Sequence, residues 1–512
     1  MEAFRQFGES PIPAALLMGM MLLAASETAA HAADSAGAIS ESPLQKAMID
    51  ILDGARPGEL SAGGITVYGV VDVDLSYQSH GAPPSPYMNG QYLVGKNSGK
   101  SRFDFSNNAL GQSIIGIKTE QPLQDLFGIK ELEGWSLIGD VASGFDPAFA
   151  SIQDACKSLI RANGTGNVPG TKANADSSRC GQFFNGEAWG GLKSATFGEL
   201  RFGRQNSLMF DDFAVYDPQK LSYANSLFGL SGTYAGGFGD TEDKHWNNSL
   251  KYKIGVGPGR IAAQYRFEGA GQGGTAYAFD AGLTGWGPLN GFSIDAVWGQ
   301  FKDGIAVSSL TNSATKANGS CQYFGVTLSN CTSLDILNAT VSDNTAWAVM
   351  TKYNLASIGA PTTTVMGGYE SITYSNPSDK LAAGYKTIGD YNLNFTSTTF
   401  STYTTDKRVN VFWAGARWDI TPKLTAAGAW YYFDQNSYVR AGAACTNPGS
   451  GTATQSQCKG DMNWLSATLD YQVTKRLDVY TGVSHNIETG GLTNGYTHTS
   501  TTGVTTGARF RF

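Results

Sequence analysis

From Gly63 to Phe512 the chain alternates apolar and polar positions with a period of two. In "GITVYGVVDVDLSY", Ile65, Val67, Val71, Val73 and Leu75 share one face, and Thr66, Tyr68, Asp72, Asp74 and Ser76 the other. In "MNWLSATLDYQV", Leu465, Ala467, Leu469, Tyr471 and Val473 oppose Ser466, Thr468, Asp470 and Gln472. Such alternation predicts half-buried β-strands, and sixteen segments of this kind follow one another, the second read as one strand through "SRFDFSNNALGQSIIGIKTE". Their connections alternate in length. "TFG" (196–198), "GPG" (257–259), "GPLNG" (287–291), "TPK" (421–423) and "TKR" (474–476) are tight turns, and long polar loops lie between them. An open antiparallel sheet of this size would leave two unpaired edges, and closure removes them.

One face carries Val, Leu, Phe, Trp and Tyr on nearly every strand, more apolar surface than a packed soluble interior takes. The other carries Asp, Thr, Gln, Arg and Gly. An all-β transmembrane antiparallel barrel of sixteen strands, apolar toward lipid and polar toward a water-filled lumen, satisfies both faces. After the N-terminus no run of 18 apolar residues occurs, so helical spans are not expected.

The first residues break the pattern. Arg5, the apolar "PAALLMGMMLLAA" (13–25) and "AHA" (30–32) predict a signal peptide over residues 1–32. Residues 33–62 read as an N-terminal periplasmic extension. Ser42, Pro43 and Gly54 bound a short amphipathic helix there, with Leu44, Ala47, Met48 and Ile51 on one face. Residues 63–512 form the barrel domain. Removing the signal takes away Arg5, Glu2, Glu9 and Glu27, so the net charge moves from −7 to about −5. That mild acidity argues against a nucleic-acid partner. A secreted chain meets an oxidising compartment, and the six cysteines fall into neighbouring pairs: Cys156 with Cys180, Cys321 with Cys331, Cys445 with Cys458. Each pair brackets a polar loop and is expected to close it as a disulfide. No histidine lies beside the pairs and no C-x-x-C occurs, so no metal is expected.

A water-filled barrel of this width conducts without a catalytic group or cofactor. It needs a constriction and charges that bias passage. The long segment from Ser207 to His245 has no strand pattern and is expected to fold inward, with Asp211, Asp212 and Asp217 presenting negative charge. Arg102 and Arg201 alternate with outward apolar neighbours and should face the lumen. Arg204 falls on the lipid side of a strict alternation, which predicts a bulge at Gly203 that turns it in. Asp72 and Asp74 should line the first strand. "GTGNVPGTK" lacks the ending of a phosphate loop, and Ser484–His485, as strand neighbours, cannot pair as nucleophile and base.

These segments, in this order, resemble the general porins of Gram-negative outer membranes. The resemblance runs from about residue 63 to 512 and rests on "ITVYGVVDVDLSY", "KSRFDFS", "GLKSATFGELRFGRQ", "NNSLKY", "RWDITPKLT", "YQVTKRLDVY" and the closing "GARFRF". It implies a trimeric sixteen-stranded barrel in outer-membrane lipid and lipopolysaccharide, with an inward third loop and passive diffusion of ions and small hydrophilic solutes. It also implies that Arg102 and Arg204 belong to a wall cluster, and that Phe510 and Phe512 are the signal read by the outer-membrane assembly machinery. His245 and Leu227 depart from the common pattern, so the usual selectivity does not carry over. A substrate-specific channel, with Phe210, Phe213, Tyr216, Tyr223 and Phe228 as an aromatic file, and a barrel enzyme are the alternatives.

Overall fold

A computed structural model of the chain describes residues 60–61, 63–80, 100–153, 183–230, 234–239, 244–267, 275–285, 291–304, 342–378, 403–440, 442–451, 454–493 and 498–512. It describes backbone alone at 62, 305–307, 320–323, 326–329, 336–337, 339–341, 387–388, 391–393 and 399–400. The expected signal peptide, nearly all of the extension, Cys156, Cys180 and Cys331 lie outside the described residues, and Cys321 is described only in its backbone.

Among the described residues sixteen strands pair antiparallel in chain order. They are β1 (Ile65–Gln78), β2 (Arg102–Asn107 and Ile114–Pro122), β3 (Trp135–Asp146), β4 (Ala188–Ser194), β5 (Gly198–Asn206), β6 (His245–Val256), β7 (Gly259–Arg266) and β8 (Ala276–Thr284). Then follow β9 (Phe292–Val307), β10 (Ala339–Asn354), β11 (Thr363–Ser375), β12 (Lys407–Asp419), β13 (Leu424–Gln435), β14 (Gly460–Gln472), β15 (Leu477–Glu488) and β16 (Ser500–Arg511). β16 returns to β1 with Val70 opposite Arg511 and Gln78 opposite Gly503, which closes the barrel. Every segment that alternates in the sequence is one of these strands.

The outward face is apolar and open: Phe105 is 79% exposed, Leu465 58% and Val73 45%. In lipid these side chains are at home, whereas a charge there costs about 2–4 kcal/mol at mid-depth. The inward face departs from the sequence reading in two ways. On β10 to β14 it is not uniformly polar. Ala346, Ala348, Met350, Val411, Trp413, Tyr431 and Trp464 point inward and are buried, because the long third loop covers them. β2 is also not one continuous strand. Residues 108–113 leave the ladder as a bulge, Asn108 taking φ +67°, and Ser113 donates its backbone N–H to the Asn108 side chain at 2.7 Å. Asn tolerates this left-handed backbone and Gly111 follows, so "NNALGQ" reads afterwards as a turn that interrupts its strand.

The loop between β13 and β14 is closed by the Cys445–Cys458 disulfide, with Cα atoms 4.7 Å apart. Near the other end of the barrel Arg509 bonds Asp478 and Asp470 at 2.8 and 3.1 Å, and Arg511 also bonds Asp478, so the closing strand's arginines pair inside the wall.

Candidate functional site

The third loop leaves β5 at a helix N-cap. The Ser207 hydroxyl accepts from the Phe210 N–H at 3.1 Å and starts helix α1 (Leu208–Tyr216). The sequence reading placed no helix here. α1 runs inside the barrel along the inner faces of β6 to β11. Lys251 donates to Asp211 at 3.0 Å and Lys253 bonds the same oxygen. Burial alone would raise Asp211, but the two ammonium groups outweigh it and hold the carboxyl below its ordinary range. Beside it, the Arg260 guanidinium bonds Asp212 at 2.6 Å, Asp295 at 2.8 Å and Asp280 at 3.1 Å, and Asp295 accepts the Tyr216 hydroxyl. Burial, then the nearby Asp280, push Asp212 well above the usual carboxylate value, with Arg260 pulling the other way. The carboxylates of Asp212, Asp280 and Asp295 converge closely enough for a metal ion, but a guanidinium already bonds all three.

The loop then crosses the lumen. Asp217 is fully buried and accepts from the backbone N–H groups of Leu221 and Gln219 and from the Tyr431 hydroxyl. Pro218 lies against Gly415 of β12, where a Cβ would meet its ring, and its carbonyl accepts from Arg417 at 2.9 Å. Thr468 of β14 donates to Gln219 at 2.9 Å. At the far side the Ala109 carbonyl, in the β2 bulge, accepts from the Ser222 hydroxyl at 2.7 Å and the Ala224 N–H at 3.0 Å. The chain returns through a short helix (Leu227–Leu230), whose Phe228 meets Trp413 and Tyr431 with ring centroids 4.9 and 5.5 Å apart. Glu370 of β11 then accepts the Ala235 N–H at 3.0 Å.

The loop thus lies on the inner faces of β6 to β15 and touches β2 at its bulge. The lower inner faces of β1 to β5 carry a separate group. Tyr68 donates to Asp140 at 2.8 Å, Lys118 sits 5.6 Å over the Tyr68 ring, Trp189 donates to Glu187 at 3.0 Å, and Arg201 stacks on Trp189 at 3.9 Å.

The structure does not bring the sequence-nominated charges together. Arg102 pairs with Asp104 at 2.8 Å, at the end of β2 next to a long loop. Arg201 bonds Glu199 near the short-turn end of β5, and the two arginines therefore stand at opposite rims. Arg204 is turned inward by an irregularity between Gly203 and Gln205, Gly203 taking φ +135°. It is buried there, giving bonds to the Gly186 and Asn185 carbonyls and to Asn247 at 2.7, 2.8 and 2.6 Å. Asp211, Asp212 and Asp217 turn to the wall rather than toward a facing arginine row. Asp72 and Asp74 face inward but are buried: Asp72 accepts from the Leu110 and Gly111 N–H groups at 2.9 Å each, and Asp74 from Ser106. Lys251, Lys253 and Arg260, which the sequence reading missed, were findable from strand alternation, since each stands at an inward position.

A sequence profile of the Gram-negative porins matches residues 19–491. No curated protein matches. Among solved structures, the chain is similar to the anion-selective porin from Comamonas acidovorans at 13% identity and a TM-score of 0.52, covering 88% of this chain and 99% of that one. It is also similar to OmpT, an outer membrane protein of Vibrio cholerae, at 12% identity and a TM-score of 0.50, with 88% and 99% covered. With a barrel closed from β1 to β16, an apolar outer band, a loop folded across a polar lumen and a family match over nearly its whole length, the chain belongs to the Gram-negative porins and is an outer-membrane channel for the passive diffusion of solutes.

Proposed function

We propose that the channel is a general one, passing ions and small hydrophilic solutes between the third loop and the inner faces of β1 to β5. The observation that carries this reading is the division of labour in the lumen. The loop is fastened to β6–β15, while Lys118, Tyr68, Asp140, Glu187 and Arg201 on the other wall carry both signs of charge and no single chemical preference. A specific channel built on aromatics would need them open to the solute. Phe210, Phe213, Tyr216, Tyr223 and Phe228 are at most 6% exposed. Passage over such a wall requires no chemical step, which supports a channel that is not an enzyme.

In this reading residues 1–32 are removed on export, residues 33–62 remain in the periplasm, and the mature barrel assembles as a homotrimer in lipid and lipopolysaccharide. The terminal Phe510 and Phe512 serve the assembly machinery. Purified protein in a planar bilayer is expected to give stepwise, ohmic conductance in groups of three, with neutral sugars entering according to size alone. Saturable, competitive block by one sugar or one amino acid would replace the general reading with a specific one.

A further inference from the structure

A β-bulge ordinarily adds one residue to its strand. In β2 the addition is larger: Val73 pairs with Asn107 and Val70 with Ile114, so the six residues 108–113 stand opposite two, Val71 and Asp72. Asp72 ties the bulge down. Its carboxylate takes the Leu110 and Gly111 N–H groups at 2.9 Å each and the Tyr480 hydroxyl of β15. Its backbone N–H goes to the Ser113 hydroxyl at 2.9 Å, and its carbonyl takes the Asn108 N–H at 3.1 Å. Both ends and the middle of the bulge thus depend on one residue. That residue is fully buried and, among the described residues, bonds none of the third loop.

What the bulge offers the loop is a seat. Its Ala109 carbonyl takes the Ser222 hydroxyl at 2.7 Å and the Ala224 N–H at 3.0 Å, and Gln112 takes the Tyr223 hydroxyl at 3.2 Å. Ala109, Leu110, Tyr223, Ala224 and Tyr480 pack there as a buried cluster separate from the main one. On either side of this tip the loop is held by β12 to β14: Asp217 by Tyr431, Gln219 by Thr468, and Phe228 against Trp413. Lys220 and Leu221, which lead into the tip, take left-handed backbone at φ +53° and +60°. Non-glycine residues keep that conformation only where their surroundings fix it. A tip released from the bulge is therefore drawn back toward β12–β14, and the gap between the loop and β1–β5 widens.

We infer that Asp72 is a positioning residue for passage: it fixes the bulge, the bulge fixes the loop tip, and a buried carboxylate that meets no solute sets the largest solute that passes. The inference rests on the proposed passage between the third loop and the inner faces of β1 to β5. Asn at position 72 would preserve the seat, its oxygen taking the two N–H groups and its amide donating to the Tyr480 oxygen. Ala would leave the buried Leu110 N–H without an acceptor, which is costly.

Folded full-length protein in a planar bilayer tests this, with poly(ethylene glycol) of graded size to measure the cut-off. Asp72→Ala should admit polymers that the unmodified channel excludes. It should also visit a larger conductance level about tenfold more often, since a hydrogen bond to a charged group is worth about that factor in an equilibrium constant. Asp72→Asn should behave as the unmodified channel. Ser222→Ala removes the bond on the loop side, outside every strand, so its barrel should fold, and it should move the cut-off in the same direction. Adding Ser222→Ala to Asp72→Ala should change little further, because both act at one seat. An unchanged cut-off in either single variant, full additivity in the double variant, or Asp72→Asn behaving as Asp72→Ala would overturn the role of Asp72. The passage itself is read separately: Lys118→Trp, on its wall, should lower the conductance. No effect of Lys118→Trp, or no conductance steps from the unmodified protein, would instead overturn the reading of the passage.

Discussion

Gly69 and Phe512 exchange both of their backbone hydrogen bonds, at 3.0 and 3.1 Å, so the last residue of the chain is paired into the first strand. The Phe512 ring lies over Gly69 on the lipid-facing side, in the space a side chain at position 69 would occupy. Phe510 stacks beside it, centroids 6.2 Å apart. The barrel is therefore closed by a contact in which one partner must lack a side chain for the other to have one.

Gly69→Val is expected to displace the Phe512 ring and to destabilise the closed barrel by about 1–3 kcal/mol, the usual cost of overpacking. Urea unfolding of protein refolded into lipid measures it. The double variant Gly69→Val/Phe512→Ala should recover part of the loss, because the two positions share one space.

Arg204→Gln removes the donors for the Gly186 and Asn185 carbonyls, both interior. A loss of about 2 kcal/mol or more is expected, since buried acceptors left unmade are costly. The reversal potential in a salt gradient should stay where it is, because Arg204 is only 7% exposed and meets no solute. A large change in selectivity would restore Arg204 to the passage.

The fastening of α1 should survive mild acid. The Asp211 carboxyl is lowered in the folded protein, so its stabilisation is complete above the ordinary carboxylate range near about 4 and is lost only as pH falls through the lowered value. Asp212 is raised and works in the opposite sense: protonation favours its buried state, so acid does not release α1 through it. Single-channel noise should be the same at pH 7 and pH 4. Asp211→Asn should flicker at both, because Lys251, with 1% of its side chain exposed, is left buried without the carboxylate it bonds, a cost of about 3–5 kcal/mol.

Reducing the Cys445–Cys458 disulfide should leave conductance unchanged and make residues 442–459 sensitive to protease. The bond closes a loop with a sequence separation of 13, for which chain entropy gives about 3 kcal/mol. That energy is local to the loop, since the strands on either side are held by their own ladders.

The barrel was legible because lipid and water impose opposite demands on alternate residues, and the outward positions from Ile65 to Phe510 stay mostly apolar even where the third loop lets the inner faces of β10 to β14 turn apolar as well. The inward third loop was legible from its length and its lack of period. The destinations of its charges were not. Asp211 and Asp217 lie six residues apart on the same loop, yet one meets two lysines of β6 and the other a tyrosine of β13, 214 residues away in the chain. Local pattern carries no information about partners that distant. Arg204 shows the limit from the other side: the alternation revealed that it must turn in, but its acceptors are carbonyls of residues 185 and 186, and a carbonyl leaves no mark in a sequence.

The contact between the β2 bulge and the tip of the third loop has a consequence for the order of assembly. Ala109 belongs to the first strands made, while Trp413, Tyr431 and Thr468, which hold the same loop, belong to the last. The loop cannot be seated at both abutments until the two ends of the sheet have come round to each other. Its docking is thus a late event that reports a completed cylinder, and a barrel misjoined at Gly69 and Phe512 would be left with an unseated loop and an ungated bore.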